Sequence, residues 1–168
     1  MRSRASVAGH PLHSMLVPLP IGLWIFSLVC DVVYFANGAA IWSTLALYTM
    51  AGGVIGALLA ALPGLFDLYN LPHSRAKKIG LWHMSINLSL VTLYVLNFLW
   101  RTNAEAAAIG PVALSIVAVL LLAVSGWLGG EMVYVHGVGV EPVDESKLAK
   151  AQRDDREDER GLHLHHRH

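Results

Sequence analysis

The sequence predicts an all-α integral membrane protein, a four-helix bundle running up-down-up-down, and three observations carry that prediction. The chain of 168 residues is 55% hydrophobic and only 14% charged, with a mean hydropathy of +0.51, far more apolar than an ordinary soluble domain. Four stretches, 14–35, 41–66, 79–100 and 111–135, are each long enough to cross a hydrocarbon core of ~30 Å, which takes ~20 helical residues. Lipid offers no partner for a free backbone group, so each must be a helix. The connections, 36–40, 67–80 and 101–110, are short, which favours antiparallel neighbours in sequence order. Residues 1–140 are thus expected to form the membrane domain and 141–168 a charged tail.

The first span follows Arg2 and Arg4, an arrangement that superficially resembles a secretory signal. Its apolar run is too long for a signal core and contains Asp31, so it is read as an uncleaved span. Pro18 and Pro20 free the carbonyls of Ser14 and Leu16. Either the first two turns bend, with the helix starting near Pro11, or the segment becomes helical only after Pro20. The single Cys30 lies in this span as a small lipid- or core-facing residue, so no intrachain disulfide can form.

The second span carries Gly52, Gly56, Ala60 and Gly64 at spacings of four, a smooth stripe that lets another helix approach closely. The third is the most polar, with His83, Ser85, Asn87, Ser89, Thr92 and Asn97. His83, Asn87 and Tyr94 share nearly one face, expected to look inward because polar side chains in a span face the bundle interior. The fourth repeats the small-residue device with Ser125 and Gly129, and Gly126 and Gly130. The tail carries eight of the twelve acids and six of the twelve Lys and Arg residues, and ends in His163, His165, His166 and His168. It reads as a flexible, solvated extension. Arg2, Arg4, Arg75, Lys77, Lys78 and the basic tail all fall on one side of the predicted topology, and only Arg101 on the other. Both termini are therefore expected in the cytoplasm.

Antiparallel topology brings separated residues to one end. His10 and His13 begin the first span, Asp67 ends the second, His83 lies in the first turn of the third, and Glu131, Tyr134 and His136 end the fourth. Ionisable groups in or near a span are costly unless paired, so this cluster is a candidate site. Two chemistries fit. His13 and His83 are placed to bind the iron of a b-type haem axially, with Arg4, Arg75, Lys77 or Lys78 near its propionates. Alternatively His10, His13, Asp67, His83 and Glu131 form a mixed nitrogen and oxygen site for zinc, iron or manganese. A salt-bridge network without a cofactor and a proton or solute path remain open. At the opposite depth, Asp31 is expected to pair with Asn97 or Arg101, because 18 residues separate it from His13 as 18 separate Arg101 from His83.

His10-Pro-Leu-His13 followed by Val17-Pro-Leu-Pro-Ile-Gly22, then Gly64-Leu-Phe-Asp67, His83, Gly126-Trp-Leu-Gly-Gly-Glu-Met-Val-Tyr134 and Gly137-Val-Gly-Val140, together resemble the small bacterial membrane proteins called domain of unknown function 2231. The resemblance covers residue 9 to about 140 and leaves the tail out. It implies four helices and a bacterial inner membrane. Related domains joined to Rieske iron-sulfur modules imply a redox association, and the family name brings no settled activity.

The expected role is an electron-transfer or accessory subunit that binds a metal or haem, in contact with the bilayer and with a redox or other multi-subunit membrane complex, or as a homo-oligomer. The competing classes are a cofactor-free structural subunit and an oligomeric transporter or channel. No nucleophile and base stand at suggestive positions, so a catalytic hydrolase is not expected, and nothing resembles a phosphate loop or a nucleic-acid face.

Overall fold

The computed structural model describes residues 3–103, 109–140 and, in the tail, 145, 146, 149, 150, 152–154 and 156. Among these, a two-stranded antiparallel hairpin, β1 (Ser6–Val7) and β2 (His10–Pro11), leads into α1 (Leu12–Leu16), α2 (Pro18–Asn37), α3 (Ala40–Asn70), α4 (Arg75–Asn103) and α5 (Ile109–Tyr134). The first two helices run on as one span, so four membrane-length spans result, as the sequence predicts.

The prolines interrupt the first span for one residue only. Val17 keeps helical angles and its N–H reaches the His13 carbonyl at 3.0 Å. Pro18 then opens α2, where its missing N–H costs nothing. Helical structure therefore begins at Leu12, with Pro11 as the N-cap residue, rather than after Pro20. At the far end Gly38, with φ 69°, donates to the Tyr34 carbonyl and closes α2, a left-handed position that favours glycine.

Two boundaries differ from expectation by four residues, the others by three or fewer. The second helix continues past residue 66 to Asn70, carrying Asp67 on its last turns and tolerating Pro63 inside it. The third begins at Arg75 rather than 79, where the Ser74 hydroxyl accepts the Lys77 N–H at 3.3 Å, as an N-cap does. The connection shrinks to residues 71–74. Charge at 75–78 marks where the hydrocarbon ends, not where the helix ends. After α5 the Gly137 N–H reaches back to the Val133 carbonyl, with Gly137 at φ 63°, a left-handed (αL) closure, and the Val138 N–H reaches the Met132 carbonyl.

Side-chain bonds give the direction of each helix. The Ser27 hydroxyl donates to the Ala46 carbonyl, and the Trp24 indole N–H to that of Met50, so α2 and α3 are antiparallel. Asn97 donates to the Pro111 carbonyl, and His83 meets Ser125, so α4 and α5 are antiparallel too. Across the bundle, Trp24 of α2 stacks on Tyr94 of α4 with centroids 4.2 Å apart and planes 10° apart. These two rings form the core with Met50, Leu90, Ala118 and Leu122. Cys30 is fully buried.

The glycine stripe of α3 takes another helix at close range, as expected, and that helix is the first span. A Cβ at Gly53 would fall on the Trp24 indole, one at Gly56 would crowd Leu19 and Pro20, and one at Gly52 would meet Leu23. On α5 only one of the two small rows packs: Gly129 lies against His83, whereas Gly126 has nothing within 4 Å. Outward-facing leucine, isoleucine and phenylalanine cover the spans. Exposed Tyr69, Trp82, Trp127 and Tyr134 ring one end and Trp100 marks the other, as aromatic residues do at membrane interfaces.

Candidate functional site

His13 lies on the first turn of α1, and its Nδ1 is 2.8 Å from the Ala60 carbonyl oxygen of α3. His83 lies about two turns into α4, deeper than the first turn expected for it, because the helix begins at Arg75. Its Nδ1 is 2.9 Å from the Ser125 carbonyl oxygen of α5 and 3.1 Å from the Ser125 hydroxyl. A carbonyl oxygen only accepts, so each Nδ1–H donates, and the neutral form of such a ring carries its lone pair on Nε2. The two imidazoles meet across the bundle with centroids 6.2 Å apart and planes 88° apart.

Close backbone approach makes this possible. A Cβ at Gly64 would fall 2.6 Å from the His13 Nδ1, and one at Gly129 would fall 3.3 Å from the His83 Cε1. Each ring is thus seated against a glycine one turn beyond the carbonyl it binds. Asn87 holds Ser125 in place, donating to its hydroxyl at 2.6 Å and to the His83 carbonyl at 2.7 Å.

The remaining candidates do not join the pair. Asp67 receives the Ser3 hydroxyl at 2.6 Å and the backbone N–H groups of Arg4 and Ala5 at 2.9 and 3.0 Å. It ties the N-terminal segment to α3. Arg4 adds a bond to Asn70 at 3.2 Å, and a cavity of about 230 Å³ lies between Ser3, Arg4, Asp67 and Gly139. His10 is exposed in the β-hairpin, its Nδ1 3.0 Å from the Ala8 carbonyl. Glu131 lies on the last turns of α5. Among the described residues no three of His, Cys, Asp and Glu converge so as to hold a metal. His13 and His83 come together; His10, Asp67 and Glu131 do not complete a five-ligand set with them. The terminal histidines, His163, His165, His166 and His168, lie outside the described residues.

At the other end of the bundle Asp31 has the partner the helical count indicates. Arg101 grips its carboxylate bidentately at 2.6 and 2.7 Å. Asn97 takes part through Arg101, accepting from its Nε at 3.1 Å, and donates to Ser115 at 2.9 Å. Ser115 also accepts from Arg101 at 3.2 Å. Sequence reasoning missed Ser115, a lone serine in an apolar helix that carries no pattern, and missed the backbone acceptors of both histidines. Only the spacing of Ala60 and Gly64, and of Ser125 and Gly129, hinted at where those rings would lie.

The family described as "Predicted membrane protein (DUF2231)" matches residues 9–142. No curated protein and no solved structure matches the chain. The chain belongs to this family of membrane proteins.

Proposed function

We propose that this is a bacterial inner-membrane protein, with both termini in the cytoplasm, that acts as an electron-transfer or accessory subunit of a redox complex and binds a b-type haem or a single transition-metal ion between His13 and His83. The observation that carries this reading is the edge-on pair of imidazoles, each with Nδ1 engaged by a backbone carbonyl of another helix. Metal-ligating histidines commonly donate their other ring N–H to a carbonyl or carboxylate, which sets the tautomer and raises the basicity of the ligating nitrogen. A single ion about 2 Å from one nitrogen of each ring separates the ring centres by roughly 6 Å, and the observed separation is 6.2 Å. Two neutral nitrogen donors suit iron porphyrin, zinc or copper better than magnesium or calcium, which prefer oxygen. A haem would supply one-electron chemistry. The protein's part is to hold the two imidazoles at fixed separation near one membrane face, where exposed Trp82, next to His83, and Trp127, between Ser125 and Gly129, lie at the surface.

A second reading, a cofactor-free structural subunit, is favoured by one feature: the same two hydrogen bonds tie α1 to α3 and α4 to α5. Absorption spectra of the purified protein, oxidised and dithionite-reduced, together with elemental analysis, separate the two. A reduced α-band, or about one zinc, iron or copper per chain, that is lost when His13 and His83 are replaced together by Ala supports the cofactor. Neither band nor metal in the tail-truncated protein overturns it in favour of the structural subunit.

A further inference from the structure

The two helical hairpins of this chain repeat one another. Trp24 meets Tyr94, Asp31 meets Arg101 and His13 meets His83, each pair 70 residues apart. On α2 the buried positions include Pro20, Trp24 and Ser27; on α4 they include Leu90, Tyr94 and Asn97, again at an offset of 70. On the second helix of each hairpin the offset is 65: buried Ala46, Met50, Gly53 and Ala60 of α3 correspond to buried Pro111, Ser115, Ala118 and Ser125 of α5.

The hydrogen bonds obey the same rule. His13 reaches a carbonyl 47 residues on and His83 one 42 residues on. Ser27 reaches a carbonyl 19 residues on and Asn97 one 14 residues on. Both differences are five, the amount by which the second hairpin is shorter. Helices α2 and α4 run the same way and face each other, so the two halves are related by a pseudo-twofold axis along the bundle.

On such an axis a residue faces its own counterpart, and that constrains what can stand there. Two like charges repel when placed together in a membrane interior, and here the corresponding positions carry Asp31 and Arg101, which attract. Positions 27 and 97 hold Ser and Asn, and 24 and 94 hold Trp and Tyr. Among the polar pairs at the offset of 70, which bring α1 and α2 against α4, only His13 and His83 are the same residue, and the glycines that seat them, Gly64 and Gly129, correspond at the offset of 65. Two identical imidazoles meeting edge-on, each with its Nδ1–H turned to a carbonyl, have in their neutral form two Nε2 lone pairs and no proton to share between them. An electron-pair acceptor between the rings satisfies both at once.

We infer that the chain is a duplicated helical hairpin and that His13 and His83 form the two equal halves of one site on its pseudo-twofold axis, taking a single iron porphyrin or transition ion through Nε2 of each ring. This rests on the cofactor reading above and adds to it which nitrogens bind, that one group is bound per chain, and that neither half suffices.

The test uses the full chain in detergent, in two measurements. In the ligand-free protein labelled with 15N-histidine, the resonances lost in His13→Asn and in His83→Asn should each show the proton on Nδ1 and a bare Nε2. A proton on Nε2 of either ring overturns the inference without reference to any cofactor. Titration with haemin, and separately with zinc(II), should then saturate at one per chain. For haemin the spectrum should be that of low-spin iron with two nitrogen ligands, and His13→Ala and His83→Ala should each weaken binding at least tenfold and abolish the low-spin signature. If one variant binds as tightly as the parent, the two-equal-halves inference fails while the cofactor reading stands. If the intact chain takes up neither haemin nor zinc(II), the cofactor reading itself fails and the shared site with it.

Discussion

Arg101 enters the bundle with its charge answered at close range: two bonds to Asp31, one to Asn97 and one to Ser115. Removing one member of a buried pair leaves the other uncompensated, which typically costs about 3–5 kcal/mol, whereas replacing both with apolar residues is much less harmful. Arg101→Ala should therefore destabilise the protein by about 3 kcal/mol in equilibrium unfolding from mixed micelles, and Asp31→Leu with Arg101→Leu should lose less than that single change. Equal losses would show that the pair does not act as a unit. Gly64 makes a second residue-scale case. An added methyl group there collides with the His13 ring, while at Gly126 it meets open space. Gly64→Ala should cost about 1–3 kcal/mol, the usual range for overpacking, and Gly126→Ala should change stability by less than about 0.5 kcal/mol. The ion pair was legible in the sequence because helical rise can be counted from either end. The glycine seats were legible only as a stripe, since which side chain fills a groove depends on the rotation of two helices.

At the scale of elements, the apolar pattern located all four spans and missed their ends. Helix α4 begins four residues early because a capping serine and three basic residues can be helical outside the hydrocarbon. Its polar residues divide in a way that side-chain type did not reveal. His83, Asn87, Tyr94 and Asn97 turn inward, as expected of the first three, whereas Ser85, Ser89 and Thr92 are exposed and return their hydroxyls to carbonyls four residues back. A hydroxyl can be satisfied by its own helix; an amide or imidazole with donor and acceptor to place cannot be so fully. The N-terminal hairpin turns on Ala8 and Gly9, both at positive φ, 51° and 81°. A left-handed conformation costs an alanine roughly 1 kcal/mol, and Asn-Gly is the favoured pair for such a turn. Ala8→Asn should tighten the hairpin, seen as slower amide exchange of Leu12, whose N–H is held by the Ala5 carbonyl at 2.9 Å. Faster exchange would mean the turn is not what orders this segment.

At the scale of the whole molecule, four spans place residues 3 and 145 on the same side and 102 on the other. With cysteines introduced singly in a chain whose Cys30 is replaced by Ala, an impermeant maleimide added to intact cells should label Thr102→Cys and leave Ser3→Cys and Glu145→Cys unmodified until the membrane is opened. The reverse pattern would invert the proposed orientation. Convergence of His13 and His83 was legible from topology alone, since antiparallel helices bring their ends together. Exclusion of Asp67 was not, because the N-terminal residues that bind it carry no helical or strand pattern before the fold exists. The duplication was half visible, as the shared 18-residue interval from histidine to charge, and hidden otherwise because only a few side chains match between the halves. The Asp31–Arg101 bond also joins an early residue to a late one. With chains made at about 5–20 residues per second, the 70 residues between them take roughly 4–14 s to synthesise. For those seconds the first hairpin holds a carboxylate whose counter-charge has not yet been made, and an unpaired charge in a span is costly. The second hairpin supplies the guanidinium that answers it, so the two halves are expected to become stable together rather than in turn.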